Sequence, residues 1–308
     1  MSDQDFRLLE PLIDLRPKPI STMVRGLEAT LAPRTRAYVS ELLQPLRNVT
    51  DISPAREALI ANDPYFIGAS YSRLRFDLDE VVANLEVLMA MPGESLMQWD
   101  GAGVAPIVVS SGHEAERATY ADAYPASSAL VRRVKDVFAA IMDGPAYGAI
   151  VAGGTRRLAL APNCVGSSSI SSLPGYSMVG VGEEARFDNP QVNGLIHEAV
   201  HGIMFLAECA TGRQLVHETG RAPIVSPWSG NPLDPYQFVQ ALVVWHVLLS
   251  YWDEADPDSD ERRRAAKGFR DAQGDRGAQR VLDAIEENVD PAFLAILRAC
   301  DEASAARA

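Results

Sequence analysis

An apolar run carrying two histidines and a glutamate constrains this chain more than any other stretch. It reads Leu195-Ile196-His197-Glu198-Ala199-Val200-His201-Gly202-Ile203-Met204-Phe205. On a helix, residues four apart project from one face a turn apart, so His197 and His201 can both reach a single metal ion. Glu198 lies beside them, placed to act on a metal-bound water or to hold a ligand. The competing reading is an ordinary core helix whose histidines are buried and hydrogen-bonded. Burying an unpaired His-Glu-His set among Leu, Ile, Val, Met and Phe is costly, which favours the metal site. Asp188-Asn189-Pro190 supplies a helix start and Gly212 a helix stop.

At 308 residues, 47% hydrophobic and 22% charged, the chain can bury a sizeable core, and a single domain over 1–308 is expected. The net charge of −13 argues against a nucleic-acid backbone or an anionic membrane as partner. Three widely spaced cysteines, Cys164, Cys209 and Cys300, give neither a disulfide framework nor a cysteine zinc knuckle. The N-terminal stretch is acidic and lacks the basic-then-apolar order of a signal peptide. The longest apolar run, Ala241–Leu249, is about half a membrane span. A cytoplasmic protein without nucleic-acid or membrane partners is expected.

Within the single domain, residues 1–145 are expected to form a helical lobe. Apolar residues at three-and-four spacing mark helices over Thr22–Leu31, Thr35–Leu46, Leu78–Met91 and Ser127–Met142. Gly101–Ser111 suits a strand or a buried loop, and His113 and Glu114 after it suit a solvated loop better than a catalytic pair. A metal-binding core is expected over 146–256. Tyr147–Ala152 and Arg156–Ala161 are short and apolar, which predicts a strand pair turning at Gly153-Gly154. The Ser run 167–172 predicts a polar loop leading to a strand over Tyr176–Val181. Past the metal helix, His217 and Glu218 fall in a loop, and a turn-rich segment, Ser226 to Pro235, delivers an apolar helix over Tyr236–Trp252. His246 on that helix is either a satisfied core histidine or a third metal ligand. Residues 257–308 form C-terminal helices, over Glu261–Asp275 and Pro291–Ala306. The fold class that follows is α+β, predominantly helical, with a zincin-like metal helix beside a small sheet.

Three blocks together resemble a known family: the Ser-rich lead-in ending Leu173-Pro174-Gly175-Tyr176, the helix His197–His201, and Pro227-Trp228 followed by a Pro-broken turn and a helix ending Tyr251-Trp252. The family is that of HExxH-containing, iron- and 2-oxoglutarate-dependent peptide β-hydroxylases that mature ribosomally made peptides. The resemblance covers roughly residues 155–255. It implies Fe(II) and 2-oxoglutarate as cofactors and a peptide as substrate. The chain departs from the family pattern at Ser229, where an Arg is expected, and at Gln240, where a His is expected. With those two replaced, His246 is the candidate third ligand and Arg221 the candidate partner of the 2-oxoglutarate carboxylate.

Three chemistries follow. In an oxygenase, Fe(II) would be held by His197, His201 and one more group, with positions left for 2-oxoglutarate and O2. In a zinc peptidase, the same histidines would hold Zn and Glu198 would deprotonate the metal-bound water. Against the peptidase, no Glu lies inside the apolar part of the downstream helix, and H-x-x-G-x-x-H is absent after His201. The third is a metal-free binding module. The oxygenase is the first expectation.

Overall fold

The computed structural model describes residues 6–27, 29–31, 107–109, 124–125, 128–155, 157–161, 166–171, 173–181, 187–217, 223–270 and 275–308. The chain divides into two compact units, one made of Met1–Met23 and Arg213–Ala308, the other of Val24–Gly212. This division differs from the expected boundaries at 145 and 256, because the chain's two ends pack together in one unit. The described residues are mostly helical with a small sheet, an α+β arrangement.

The unit containing Val24–Gly212 has a five-stranded sheet. Its strands are β1 (Ile107–Val109), β2 (Tyr124–Pro125), β3 (Arg157–Ala161), β4 (Ser167–Ile170) and β5 (Leu173–Gly180), in the order β2-β1-β3-β5-β4. β1, β3 and β5 run parallel, and the antiparallel β2 and β4 form the edges. The Ser run is therefore an edge strand and not the expected loop. Ser167 pairs with Val179 and Ser169 with Ser177. On the other side of β5, Leu158 of β3 also lies opposite Ser177, so apolar β3 and β5 supply the ladder on which the polar β4 forms.

Two helices precede the sheet strands β3 to β5: α3 (Ser128–Asp143) and α4 (Pro145–Gly154). Here the expected strand pair fails, because Tyr147–Ala152 is helical. Pro145 in the first turn presets φ, and Ala146, Ala149 and Ala152 favour helix, while a short apolar run has no period of its own to decide the matter. Gly153-Gly154 serves a different purpose from a hairpin turn. The helix that carries His197 and His201, α5 (Asn189–Thr211), packs on α4 and on β4 and β5. A Cβ on Gly154 would lie 1.8 Å from the carbonyl oxygen of Ala199, and one on Gly202 would lie 2.1 Å from the carbonyl oxygen of Gly154. The two helices thus meet backbone to backbone. Gly194 lets β4 in nearly as closely, with Ser167 Cβ 3.0 Å from where its own Cβ would be.

The start of α5 is fixed by its cap. Gln191 Oε1 accepts from the Asp188 N–H at 3.0 Å, and Gln191 Nε2 donates to the Gly180 carbonyl at 3.0 Å, tying the helix to the end of β5. Gly212 ends it in the left-handed conformation at φ 69°.

The other unit begins with a 3₁₀ turn at Phe6–Leu9 and a one-turn helix, α1 (Pro11–Asp14). Residues 17–27 and 29–31 are also helical (α2), a stretch that passes from this unit into the other after Met23, in line with the helix expected over Thr22–Leu31. After Arg213 come the short hairpin β6 (Ile224–Val225) and β7 (Pro232–Leu233), then α6 (Pro235–Ala255), α7 (Asp260–Lys267), α8 (Gly277–Ile285) and α9 (Pro291–Ala305). Asp234 and Gln237 form a reciprocal cap at the start of α6, at 2.7 and 3.0 Å. The helix expected over Glu261–Asp275 stops at Lys267. The α8 helix went unanticipated.

Trp228 anchors this unit. It is buried, stacks on Trp245 at 6.1 Å, meets Phe269 edge-on at 5.2 Å, and donates its indole N–H to the Ala265 carbonyl at 3.1 Å. Cys209 and Cys300 are buried, each in its own unit, and burial pushes both thiols up. Among the described residues no helix is long and apolar enough to cross a membrane.

The glycine contacts give a direct test. Gly202→Ala should cost more than about 3 kcal/mol or prevent folding, since backbone on the facing helix cannot retreat as a side chain can. Gly26→Ala, at an exposed helical site with nothing within 4 Å, should be neutral or stabilising by up to about 1 kcal/mol. Chemical denaturation of both variants checks this. Equal stability of the two would mean the helices do not meet as described.

Candidate metal centre

On α5 nearly every side chain is buried, and His197 and His201 are among the few that stay partly open. Their Nε2 atoms are 3.1 Å apart, with ring centroids at 4.8 Å. His201 stacks on Phe205 one turn later, at 5.9 Å and 16°, which fixes its ring plane. Glu198 follows the helix round toward β4 and is 2% exposed. Its Oε1 accepts a hydrogen bond from Ser167 Oγ at 2.6 Å and lies 3.8 Å from His197 Nε2. The structure thus brings His197, Glu198 and His201 together and adds Ser167, which the sequence reading took for loop.

Burial pushes the His197 imidazole down to about 4, with Glu198 acting against the shift and His201 adding to it. Even so, 26% of the side chain remains accessible, on the open side of the pair. The ring is neutral at neutral pH, the form that ligates a metal. Two nitrogens each about 2.0–2.1 Å from one ion sit roughly 3.0–3.4 Å apart, and the observed separation falls in that interval. The pair therefore fits a shared divalent ion. The same distance would also suit a direct hydrogen bond between the two rings. Among the described residues no set of three or more His, Cys, Asp or Glu side chains could hold a metal ion, so a third protein ligand is not found there.

His246, the candidate third ligand, has both ring nitrogens engaged within the unit that carries it. It lies on α6, in the other unit, and is fully buried. Its Nε2 is 3.0 Å from the Ile13 carbonyl, and its Nδ1 is 2.7 Å from Ser304 Oγ. A carbonyl only accepts, so Nε2 carries the proton and Nδ1 accepts from the Ser304 hydroxyl. Both ring nitrogens are occupied. In this arrangement His246 is the satisfied core histidine of the two readings, joining α1 to α9 across α6. Neither its sequence neighbours nor its position on an apolar helix signals this, because the partners are 233 and 58 residues away.

Arg221, the candidate 2-oxoglutarate partner, lies outside the described residues, as do His113, Glu114, Glu218, Cys164 and the helices expected at Thr35–Leu46 and Leu78–Met91. His217 is exposed. Ser229 is exposed in the turn after Trp228, and Gln240 is buried on α6. Both belong to the unit that does not contain the histidine pair. The chain matches no protein-family model and no curated protein.

The occupied His246 ring predicts a pH dependence. Burial pushes it from 6.5 down to about 4, against the Ile13 carbonyl, which favours the protonated ring. Between those values the unfolded chain binds the extra proton and the folded one does not. Stability is therefore full above about 6.5 and is lost as pH falls toward 4, by an amount on the order of 3 kcal/mol. His246→Leu leaves two polar groups unpaired and should cost about 1–3 kcal/mol at pH 8. The gap to the wild type should narrow as pH drops from 7 to 4. Urea unfolding across that range checks it, and a gap that stays constant would refute it.

Proposed function

We propose that this protein is a metal-dependent enzyme acting on a peptide, with His197 and His201 as metal ligands. The observation that carries the proposal is the 3.1 Å convergence of two partly open imidazoles beside a buried carboxylate. Of the metal chemistries, oxygenation is the first reading. With Fe(II) bound, 2-oxoglutarate and O2 would be converted to succinate and CO2 as one oxygen atom enters a C–H bond of the substrate.

The chain's own residues define the rest. His197 and His201 would fix two adjacent positions, and burial keeps the His197 ring neutral. Ser167 holds one oxygen of Glu198 by a short hydrogen bond. That bond orients the Glu198 carboxylate and limits its freedom. The β4 strand supports a peptide as substrate. Among the described residues it pairs with β5 alone, so its outer edge offers backbone groups to an extended chain next to Glu198. The resemblance to the iron- and 2-oxoglutarate-dependent peptide β-hydroxylases, a zincin-like setting for α5, and Arg221 as carboxylate partner complete this reading.

The second reading is a zinc peptidase. It is favoured by the 3.8 Å between Glu198 and His197, which keeps the carboxylate close to any metal-bound water. The test compares products. Protein loaded anaerobically with Fe(II) and given 2-oxoglutarate, O2 and a peptide library should release succinate and yield peptides heavier by one oxygen, with no bond cut. Peptide cleavage by the zinc-loaded protein under nitrogen would replace the first reading with the second. Turnover with neither metal would sink both.

A further inference from the structure

The unit made of the two chain ends carries a cavity of its own. The β6–β7 hairpin and α8 form the walls of a cavity of about 670 Å³. That volume is within the range of small-molecule pockets, roughly 300–1,000 Å³. Val225 and Pro227 line one side and Val281 and Ile285 the other. Val225 is 68% exposed and stands out as a large apolar side chain left in water on this unit.

Three cations complete the lining: Lys267 at the end of α7, Arg270 just after it, and Arg280 on α8. Among the described residues that line the cavity there is no Asp or Glu, although acidic residues outnumber basic ones 41 to 28 in the chain. Arg270 spends its Nε on the Ala305 carbonyl at 2.8 Å. Arg280 pairs with Asp275 at the surface, at 3.5 Å. An apolar wall edged by cations, in a molecule of opposite net charge, complements a ligand with an apolar body and an anionic head. The two guanidinium groups in the lining favour a planar carboxylate as that head.

We propose that this groove binds a free amphipathic monocarboxylate, its apolar body along Val225, Pro227, Val281 and Ile285 and its carboxylate among Lys267, Arg270 and Arg280. The site is independent of the metal centre and needs no metal.

Calorimetric titration of the metal-free full chain tests it, with octanoate and octan-1-ol as probes. Octanoate should bind one per chain, about tenfold more tightly than the alcohol, and more weakly as salt is raised. The double variant Lys267→Glu/Arg280→Glu, and separately Val225→Asp, should each weaken octanoate about tenfold while the melting temperature stays put, because all three side chains are exposed. Equal binding of alcohol and carboxylate, or wild-type affinity in both variants, would overturn the proposal. So would no octanoate binding up to millimolar concentration. Association with phosphatidylglycerol vesicles without binding of free octanoate would overturn it in favour of a membrane surface.

Discussion

The backbone contact between α4 and α5 is the constraint on which the candidate metal centre depends. Gly154 and Gly202 remove the side chains that would otherwise separate these helices, and the Ala199 and Gly154 carbonyls occupy the space. The contact lies within the same turns as the motif, since Ala199 follows Glu198 and Gly202 follows His201. Pinning α5 there fixes its rotation about its own axis. The histidines are then left on the partly open face and Glu198 is turned inward to Ser167. Gly194 extends the same logic one turn earlier, bringing β4 close enough for its serine to reach the carboxylate. This packing holds the two imidazoles on one partly open face of α5, 3.1 Å apart at Nε2.

The other unit is organised differently, around large side chains instead of small ones. Trp228 fills the space between α6 and α7, with its indole N–H satisfied by a backbone carbonyl, and Gly268 gives it room. His246 then ties the first helix of the chain to the last through α6. Pro227-Trp228 and the Trp-ended helix, which carried the family resemblance outside the motif, are core features of this unit. They bear on how α6 packs.

The parts of this architecture that were legible in the sequence are those with a local cause. The α5 and α6 helices start at Asp-containing caps with a proline in the first turn, and α5 stops at Gly212, so sequence alone places their ends within a few residues. The His197–His201 pairing is likewise local, being helix geometry. What was not legible depends on partners remote in sequence. Tyr147–Ala152 is apolar with no period to read, and its helix is secured by burial against α5. The serines of β4 have the composition of a loop and become a strand because β5 offers them a ladder. The choice between ligand and core residue for His246 turns on Ile13 and Ser304, whose nearness no spacing rule reveals.

The central claim is that His197 and His201 share one metal ion. Its most direct measurement is the stoichiometry and affinity of divalent-metal binding to the metal-free protein, in the wild type and in His197→Ala and His201→Ala. Circular dichroism would confirm that each variant is folded. The account predicts one tightly bound ion per chain in the wild type and loss of that site in each folded variant, since one imidazole cannot hold the ion against water. One ion per chain at unchanged affinity in either folded variant, or no binding in the wild type, would contradict it.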